Sequence, residues 1–353
     1  MKKVLALSIA LIMVCSMVIG CGAKAEEAAA PAAAEAKAEE FDPSKIAIGT
    51  CSWPTSNPTV AIMAAGFMDR AIELGYEALL LGGDTSDMAV AYQDIDSVIA
   101  QHDNFKCLEM NASDEIGWKK VKEITDQGVH VVCCWNIITD ETLEKYGIAR
   151  EMMLGWYAPN AYDYGQAAAK DMAEKVGHKG VIAVTESSFN ETEDNAAKGF
   201  MDYIKDNEKD MSCLDPQVEG LEAVAAISKV ASIIQANPDL VGGYGTTGTS
   251  AQSWAGAAEQ TGWKGAIIGM DFNAQNLDLL KAGKIYAIVA QPIYDAFKEC
   301  ANACDAFLRG EDVQSKWTDT SGYMDSPIIH QADADKYIEM ISNISVYKSV
   351  SEQ

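Results

Sequence analysis

The chain has 353 residues and is strongly acidic: 52 aspartates and glutamates against 27 lysines and arginines give a formal net charge of −25 at pH 7. An acidic surface repels nucleic acid and anionic membranes, which argues against functions that need binding to a phosphate backbone. About 310 residues follow the first 40, and that length favours two lobes over a single core.

The N-terminal twenty residues are typical of an export signal. Two lysines precede an apolar stretch at residues 4–19 that contains no acidic side chain, and the stretch is shorter than the roughly 20 apolar residues of a membrane span. It ends in Val18-Ile19-Gly20-Cys21, which resembles the lipobox of bacterial lipoproteins, although Ile19 departs from the small residue usual there. The resemblance implies that residues 1–20 are a lipoprotein signal peptide and that Cys21 carries acyl chains such as palmitate. An ordinary signal with a chance cysteine, or an uncleaved anchor, is the alternative.

The segment that follows Cys21 lacks the side chains of a folded domain. Residues 22–40 contain ten alanines, five glutamates, two lysines and one proline, without an aromatic or β-branched residue. Such a composition cannot bury a core, so residues 21–40 are predicted to be a tether. The folded part is expected to begin near Phe41.

One pattern recurs along the rest of the chain: an amphipathic helix, then a glycine, then a short apolar strand. The glycines stand where helices end in a left-handed residue, and they are Gly75, Gly128, Gly177, Gly262 and Gly283. Strands that are apolar throughout, such as VHVVCC and GVIAV, are typical of a parallel sheet covered on both faces. The alternation predicts an α/β fold with parallel sheets.

Ten strand-like segments divide five and five about residues 158–161. The first group is KIAIGTC, EALLLGG, KCLEMNA, VHVVCCW and EMMLGWY, and the second is GVIAVTES, MSCLDPQ, DLVGGYG, GAIIGMD and YAIVAQP. This division predicts two similar doubly wound lobes. Because ligands of such sheets bind beyond the carboxyl ends of the strands, we expect the ligand in a cleft between lobes that close about a hinge.

Six short motifs follow one another in the folded part: SNPTVAIMAAG, DYGQAAA, AAKGF, IIGMDF, LLKAGKIYAIVAQ and FLRGE. Their order and spacing resemble the periplasmic ribose-type sugar-binding proteins, the substrate-binding components of ABC importers with the type I periplasmic binding fold. The resemblance implies a monomeric, cofactor-free receptor that is lipid-anchored outside the cytoplasm, captures a monosaccharide and delivers it to an ABC permease. It also implies a three-segment hinge near Ala158, Gln291 and residues 317–321. The lobes would then be residues 41–159 plus about 292–318, and residues 160–291 plus about 319–345.

The resemblance also implies a set of ligand-binding residues. Asn57, Asp271 and Gln291 match family positions directly. Thr59 and Val60 stand where family members often carry aromatic rings, but Trp53 lies near enough in sequence to substitute for them. Amide and carboxylate groups hold pairs of sugar hydroxyls with two hydrogen bonds, and aromatic rings pack on sugar C–H faces.

The remaining candidates depart from the family pattern. Trp135 and Asn136 stand where an Asp-Arg pair is usual, Asn195 where a second arginine is expected, and Thr247 in a loop that carries an asparagine in the family. The full set of candidates is Trp53, Asn57, Trp135, Asn136, Asn195, Thr247, Asp271 and Gln291.

Structural roles are the alternatives for these side chains. Asp271 would be a helix N-cap, Asn57 a turn residue before proline, Gln291 a hinge residue, and Trp53 and Trp135 core aromatics.

Charged residues narrow the chemistry of the ligand. Asn190 and Glu193 are predicted to cap a helix rather than to touch a ligand. The chain has three arginines, Arg70, Arg150 and Arg309, and none falls at a matched cleft position. Since arginine is the usual partner of carboxylate and phosphate groups, we expect a neutral ligand, with a cationic one as the alternative to it.

One motif favours a different function. GYGTTG at residues 243–248 has the G-x-G-x-x-G spacing of a dinucleotide-binding loop, and Asp271 follows about 20 residues later. Read strictly, this predicts an NAD-linked oxidoreductase, but nicotinamide cofactors are cytoplasmic and the chain carries an export signal. No G-x-S-x-G elbow is present, the four histidines are scattered, and no catalytic residue is predicted.

Two further alternatives keep the fold and change its use. A lactose-repressor-type regulator needs an N-terminal DNA-binding helix-turn-helix, which this N-terminus does not provide. A ligand sensor would present the closed form to a membrane chemoreceptor or kinase.

Cys300 and Cys304 have a spacing that could supply two metal ligands, but no partner pair lies nearby in sequence, so no metal site is predicted.

Overall fold

The computed structural model describes residues 41–353 apart from residues 86, 188–190, 221 and 319, and it leaves the side chain of residue 191 undescribed. The predicted signal peptide, the tether with Cys21 and the predicted cap Asn190 lie outside the described residues. Within the described part, no helix is both long and apolar enough to cross a membrane.

The described elements alternate between strand and helix as the sequence predicts. The strands are β1 (Ala47–Ser52), β2 (Glu77–Gly82), β3 (Phe105–Met110), β4 (His130–Cys134), β5 (Met153–Pro159), β6 (Gly180–Glu186), β7 (Met211–Cys213), β8 (Gln217–Val218), β9 (Leu240–Gly245), β10 (Ala266–Met270), β11 (Ala287–Val289), β12 (Tyr323–Met324) and β13 (Ile328–His330). The α-helices are α1 (Pro58–Glu73), α2 (Met88–Gln101), α3 (Glu115–Asp126), α4 (Asp140–Tyr146), α5 (Ala161–Val176), α6 (Glu191–Asn207), α7 (Ala223–Ala236), α8 (Ser250–Thr261), α9 (Ala274–Lys281), α10 (Asp295–Leu308) and α11 (Ala334–Ser342).

The strands form two sheets, and each sheet is the centre of one lobe. The first lobe has the strand order β12-β5-β4-β3-β1-β2, and the second has β13-β11-β10-β9-β6-β7, with β8 also paired to β6. All ten predicted strands are present, and β8, β12 and β13 are short additions. The described pairings are parallel except for β11 with β13, so the predicted parallel α/β fold gains one antiparallel edge.

Helices cover both faces of each sheet, which explains why the central strands are apolar throughout. In the first lobe, α2 and α3 pack on one face, and α1 and α10 pack on the other. In the second lobe, α5 and α6 cover one face, and the other is covered by α7, α8, α9 and α11. All five predicted helix-ending glycines have positive φ angles, between 66° and 92°.

The start of α6 is held close to α5 by glycine. A Cβ atom added at Gly165 would lie 2.2 Å from the carbonyl oxygen of Ala196, and one added at Gly199 would lie 2.1 Å from that of Tyr162. A larger residue at either position would therefore push the two helices apart. This close packing fixes the first turns of α6, which carry cleft residues described below.

The chain passes between the lobes more often than the sequence predicts. It crosses from β5 to α5 at residues 159–161 and from β11 to α10 at residues 290–294, as expected. The third crossing lies at residues 325–327, later than the predicted residues 317–321, because β12 still pairs with β5. Trp317 is a buried part of the first-lobe core, where its indole Nε1 donates to the Met153 carbonyl oxygen at 3.3 Å.

A fourth passage returns the C-terminal tail, residues 346–353, to the first lobe. Beyond α11 the 3-10 helix Val350–Glu352 packs against β2. Ser349 is fully buried, the Tyr347 hydroxyl donates to Asp69, and the Ser351 hydroxyl donates to Asp94 at 2.8 Å. The predicted second lobe ended near residue 345, so this return was not foreseen.

Candidate functional site

A cleft of about 890 Å³ opens between the carboxyl ends of the two sheets. Trp118, Trp135 and Asn136 line it from the first lobe, and Tyr162, Asn195 and Lys198 line it from the second. Three of the predicted ligand-binding residues, Trp135, Asn136 and Asn195, thus lie around one space.

Trp135 and Asn136 directly follow β4, and backbone contacts hold both in place. The amide N–H of Trp135 donates to the Tyr157 carbonyl oxygen at 2.8 Å, and its ring lies 6.1 Å from the Phe297 ring, centroid to centroid. The side-chain oxygen of Asn136 accepts from the Ala112 N–H at 2.7 Å. One ring and one amide group are therefore presented to the cleft from a single tight turn.

Two first-lobe candidates stand outside the residues that line this cleft. Asn57 is the N-cap of α1, and its side-chain oxygen accepts from the Thr59 N–H at 3.0 Å. Trp53 is half-buried at the margin of the first-lobe core. Trp53 thus has the contacts of its structural alternative, a core aromatic, whereas Asn57 caps a helix where the alternative was a turn residue before proline.

Three second-lobe candidates follow adjacent strands of one sheet: Thr247 follows β9, Asp271 follows β10 and Gln291 follows β11. Thr247 and Gln291 are buried, and Gln291 lies at the second crossing. Asp271 is not an N-cap, since Asn273 caps α9 by accepting from the Asn276 N–H. The Oδ1 atom of Asp271 is buried without a described hydrogen-bond partner.

Trp135 and Asp271 share an unusual backbone conformation. Their φ angles are 67° and 66°, and the other described non-glycine residue with positive φ, His178, ends a helix. Each of the two follows the strand that occupies the corresponding place in its lobe, β4 or β10. Left-handed backbone is costly outside glycine and clusters at functional sites, so both positions are strong candidates for ligand contact.

Four acids stand at or near the carboxyl ends of the second-lobe strands, and sequence reasoning singled out only Asp271 among them as a ligand contact. We call Glu186, Glu193, Glu219 and Asp271 the second-lobe acidic cluster. Glu193 accepts from the Ser187 N–H and hydroxyl at 2.6 Å each, and its predicted capping partner, Asn190, lies outside the described residues. Glu219 accepts from the Ser250 hydroxyl at 2.8 Å, and its N–H donates to the Glu186 carbonyl oxygen at 2.8 Å.

Burial dominates the electrostatics of this cluster. It raises the pKa of Glu186, Glu219 and Asp271 to about 7 each, and the carboxylate of Glu193 adds to the shift at all three. Asp194 raises the pKa of Glu186 further. The signal available in the sequence was a polar residue directly after an apolar strand, as in VIAVTE before Ser187.

Within the described residues, the first lobe has two buried acids: Asp94 on α2, which accepts from the Gly82 N–H at 3.1 Å, and Glu109 on β3. The Oε2 atom of Glu109 accepts from the Thr50 hydroxyl at 2.5 Å, and its Oε1 atom has no described partner. Burial raises its pKa to about 8.

The glycines of residues 243–248 are explained by packing within the second lobe. A Cβ atom at Gly243 would lie 2.4 Å from the Trp254 ring, one at Gly245 would lie 2.0 Å from the Ser250 Cβ, and one at Gly248 would lie 2.7 Å from Asp271 Oδ2. The space beside these glycines is filled by protein side chains and is not open to a pyrophosphate group. This packing weighs against the NAD-linked alternative.

The described residues show no group of three or more histidine, cysteine, aspartate or glutamate side chains placed to hold a metal ion. Cys300 and Cys304 are buried against the first-lobe sheet, and the seven described cysteines are free.

Comparisons with known proteins, by sequence and by structure, find binding proteins. A model of the periplasmic binding protein domain matches residues 48–312. The D-apiose import binding protein of Actinobacillus succinogenes is 26% identical over 285 residues, which cover 79% of this chain and 86% of that protein. Among solved structures, an ABC transporter periplasmic solute-binding protein from Actinobacillus succinogenes with bound D-allose has a TM-score of 0.69 at 16% identity, covering 83% of this chain and 99% of that one. A chain of the XylFII–LytSN complex has a TM-score of 0.64 at 18% identity, covering 82% and 98%.

Proposed function

The chain belongs to the periplasmic binding protein family, and we propose that it is the solute-binding component of an ABC importer that captures a small sugar outside the cytoplasm. The family and the type I fold are those that the sequence motifs predict. The named relatives are binding proteins, in agreement with the prediction that the chain is not an enzyme.

The observation that carries this proposal is the cleft between the two sheets. Its volume of about 890 Å³ falls within the range of about 300–1,000 Å³ typical of small-molecule sites. Trp135 offers a ring for sugar C–H groups, and Asn136 and Asn195 offer amides for hydroxyls. The relatives named for apiose and allose bind sugars of similar size, which supports the same class of ligand here.

The mechanism that we propose is closure of the lobes about the segments that cross between them. A ligand that contacts both faces binds the closed form better and shifts the population toward it. Gln291 stands on one of these segments, so it belongs to the hinge about which the lobes close. Asp271 and Trp135 would approach the ligand from opposite lobes.

The ligand is proposed to lack an anionic group. Each arginine of the chain is engaged away from the cleft lining: Arg70 donates to Asn302 at 2.6 Å, Arg150 donates to the Trp317 carbonyl oxygen at 2.9 Å, and Arg309 pairs with Asp305 at 2.8 Å. No arginine remains to bind a phosphate or carboxylate. A monosaccharide without such a group fits the cleft best, with a permease as the downstream partner.

The N-terminal segment is proposed to anchor this receptor to the membrane. Its support is the lipobox-like sequence that ends at Cys21, followed by an alanine- and glutamate-rich tether. Acyl chains on Cys21 would hold the folded part near its permease, on the outer face of the membrane. Mass spectrometry of the mature protein, which would find an acylated N-terminal peptide starting at Cys21, tests this assignment.

Thermal unfolding of the purified full chain against a panel of ligands tests the function. The panel contains pentoses, hexoses, disaccharides, polyols, nucleosides, amino acids and sugar phosphates, and the protein is first unfolded and refolded to remove any co-purified ligand. A ligand at about a thousand times its dissociation constant stabilises the protein by roughly 4 kcal/mol. We expect a monosaccharide or a derivative to raise the melting temperature and sugar phosphates to have no effect. A shift with amino acids or nucleosides alone would overturn the proposal.

A sensor is the second candidate, since one structural neighbour, XylFII, is recorded in a complex with LytSN. A sensor and a transporter share the cleft and differ in the partner of the closed form. Capture of membrane proteins on the ligand-saturated chain, compared with the ligand-free chain, separates them: an ABC permease supports transport, and a chemoreceptor or kinase supports sensing.

A further inference from the structure

The second-lobe acidic cluster is not explained by the binding of a plain sugar. Glu186 ends β6, Glu219 follows β8, Asp271 follows β10, and Glu193 stands on the first turn of α6. Thr192 and Asn195, next to Glu193 on α6, line the cleft, whereas the four acids are not themselves among its lining residues. The cluster therefore lies at the edge of the sheet where ligands of such folds bind.

Several oxygen atoms of the cluster are buried and unused. Glu186 and Glu219 are 1% and 5% exposed. The Oε2 atom of each, like Asp271 Oδ1, has no hydrogen-bond partner in the described part of the chain. A buried acceptor without a donor costs free energy, so a set of them at the carboxyl ends of the strands, where ligands of such sheets bind, indicates that donors arrive with the ligand.

The surroundings of the cluster supply no positive charge among the described residues. The groups that act on its members are carboxyls, hydroxyls and tyrosines. Glu193 acts on the other three acids and Asp194 acts on Glu186. Hydroxyl groups such as that of Ser250 donate to Glu219, and Tyr164 and Tyr244 lie near Glu193. Lys198 lines the cleft, but it pairs with Asp202 and lies over the Tyr162 ring. A neutral ligand would leave this acidic group uncompensated.

A metal ion fits the cluster less well than an organic cation. No three acidic side chains in the described residues converge closely enough to coordinate a metal, whereas an ammonium group donates separate hydrogen bonds to acceptors that stand further apart. We propose that the second-lobe acidic cluster receives a protonated amine of the ligand, so that the cargo is an amino sugar or a similar hydroxylated amine. This inference rests on the proposed function, because it names the ligand class for the same cleft.

Calorimetric titration of the full chain with matched sugars tests the inference. D-Glucosamine, D-galactosamine and D-mannosamine are each compared with the parent sugar and with the N-acetyl derivative, which keeps the nitrogen but removes its charge. We expect at least one amine to bind ten times more tightly than both of its neutral counterparts. Because burial holds the pKa of three cluster carboxyls near 7, amine binding at pH 6.5 should also release protons. That release appears as a binding enthalpy that differs between two buffers of unlike ionisation enthalpy.

Charge-removing variants locate the effect. Glu219→Gln and Asp271→Asn are expected to reduce the preference for the amine at least fivefold and to diminish the proton release. Glu259→Gln, on an exposed face of α8 with its side chain 77% exposed, is the matched control and should change neither. The proton release of the unmodified chain keeps the test decisive even if a variant folds poorly.

The outcomes separate the inference from the function on which it rests. Tight binding of a plain sugar with no gain for its amine would overturn the inference and leave the sugar receptor standing. Binding of neither class would overturn both. A tenfold preference for an amine, with proton release, supports both.

Discussion

The two lobes share one architecture but present different surfaces to the cleft. The first-lobe face has aromatic rings and an amide, with Trp118, Trp135 and Asn136 in the lining, and the buried acid on its sheet, among the described residues, is Glu109. The second-lobe face has the amide of Asn195 in the lining, and the acidic cluster stands at the carboxyl ends of the second-lobe strands. Because both faces stand at the carboxyl ends of similar sheets, the difference comes from the residues that follow each strand and not from the fold.

The two lobes share a left-handed residue after corresponding strands, but the side chain at that position differs. Trp135 and Asp271 occupy corresponding places after β4 and β10 with nearly equal left-handed φ angles. The same turn therefore delivers an indole ring in one lobe and a carboxylate in the other. In a fold of two similar halves, one lobe can thus offer an aromatic surface for the ligand and the other a charged group.

Removal of the aromatic contribution of the first lobe should produce the largest change. Trp135→Ala is expected to weaken binding of the ligand found in the screen by about 100-fold, roughly 3 kcal/mol, because the ring that packs on the ligand is lost. Calorimetric titration measures it. Trp263→Ala, which removes a second-lobe tryptophan whose indole donates to the Leu240 carbonyl oxygen, is the control and should leave the affinity unchanged. Equal affinities for Trp135→Ala and the unmodified chain would remove the first-lobe face from the site.

The acidic cluster should make folding stability depend on pH. The carboxyls of Glu186, Glu219 and Asp271 have a pKa of about 7 in the folded chain and ordinary values near 4 when unfolded. The folded state therefore binds more protons between these values, and its free energy of unfolding should fall as pH rises from about 4 to about 7. For Glu219 alone the loss is on the order of 2–3 kcal/mol.

Urea unfolding at pH 5, 6, 7 and 8 measures this dependence in the ligand-free chain. Glu219→Gln should flatten the curve and raise stability at pH 8, while Glu259→Gln should reproduce the curve of the unmodified chain. In the first lobe, burial raises the pKa of Glu109 to about 8, so this residue also contributes to the fall in the free energy of unfolding. Glu109→Gln should remove that contribution. Stability that rises from pH 5 to pH 8 would contradict the assignment of raised pKa values.

The C-terminal tail should stabilise the first lobe although it leaves the second. Deletion of residues 346–353 removes the buried Ser349 and the hydrogen bonds of Tyr347 and Ser351 to Asp69 and Asp94, and it should cost about 2 kcal/mol. Hydrogen exchange should speed up in β2, against which the tail packs, and remain unchanged in β6. Val346→Ala, at a side chain that is 91% exposed, should have no effect. Faster exchange in the second lobe alone would show that the tail is anchored elsewhere.

The smallest expected effect concerns the thiols, which are also distributed unequally. Cys213 is the half-buried one of the seven described cysteines, and the six first-lobe thiols are buried. Burial raises the pKa of Cys213 to about 12 and holds those of Cys133 and Cys300 well above their usual range. Alkylation at pH 8, followed by peptide mass spectrometry, should therefore label Cys213 slowly and the first-lobe thiols only on unfolding. Early labelling of Cys300 would mean that α10 opens readily from its sheet.

The fold could be predicted from the sequence because its signals are local. Glycines such as Gly177 and Gly262 end helices in left-handed backbone, and uniformly apolar strands require a covered parallel sheet. The short strands β8, β12 and β13 carry two or three residues each, too few for a periodic signal. The third crossing was placed early because the packing of Trp317 into the first lobe is a long-range contact.

The site could be predicted only in part, for a related reason. Trp135, Asn136 and Asn195 stand where strand ends and family motifs indicated a ligand, whereas Asn57 and Trp53 have helix-cap and core contacts. Glu219 was missed because it follows a two-residue strand. The contacts of Glu193 with Ser187 and Thr246 could not be predicted, because these partners lie in the loops after β6 and β9. Burial and contacts between distant segments create the cluster, and neither can be recognised from a short sequence motif.

The positions of the two ends of the folded part have a practical consequence for observing the lobes move. Phe41 packs against Tyr76, next to the start of β2, and the C-terminal 3-10 helix packs against the same strand. Labels placed at Phe41 and after Gln353 would therefore both follow the first lobe and remain at a constant separation while the second lobe moves. A fluorescent reporter of ligand capture needs one label inserted in the second lobe, for instance at the exposed turn between α6 and β7, so that its distance from a terminal label changes with closure.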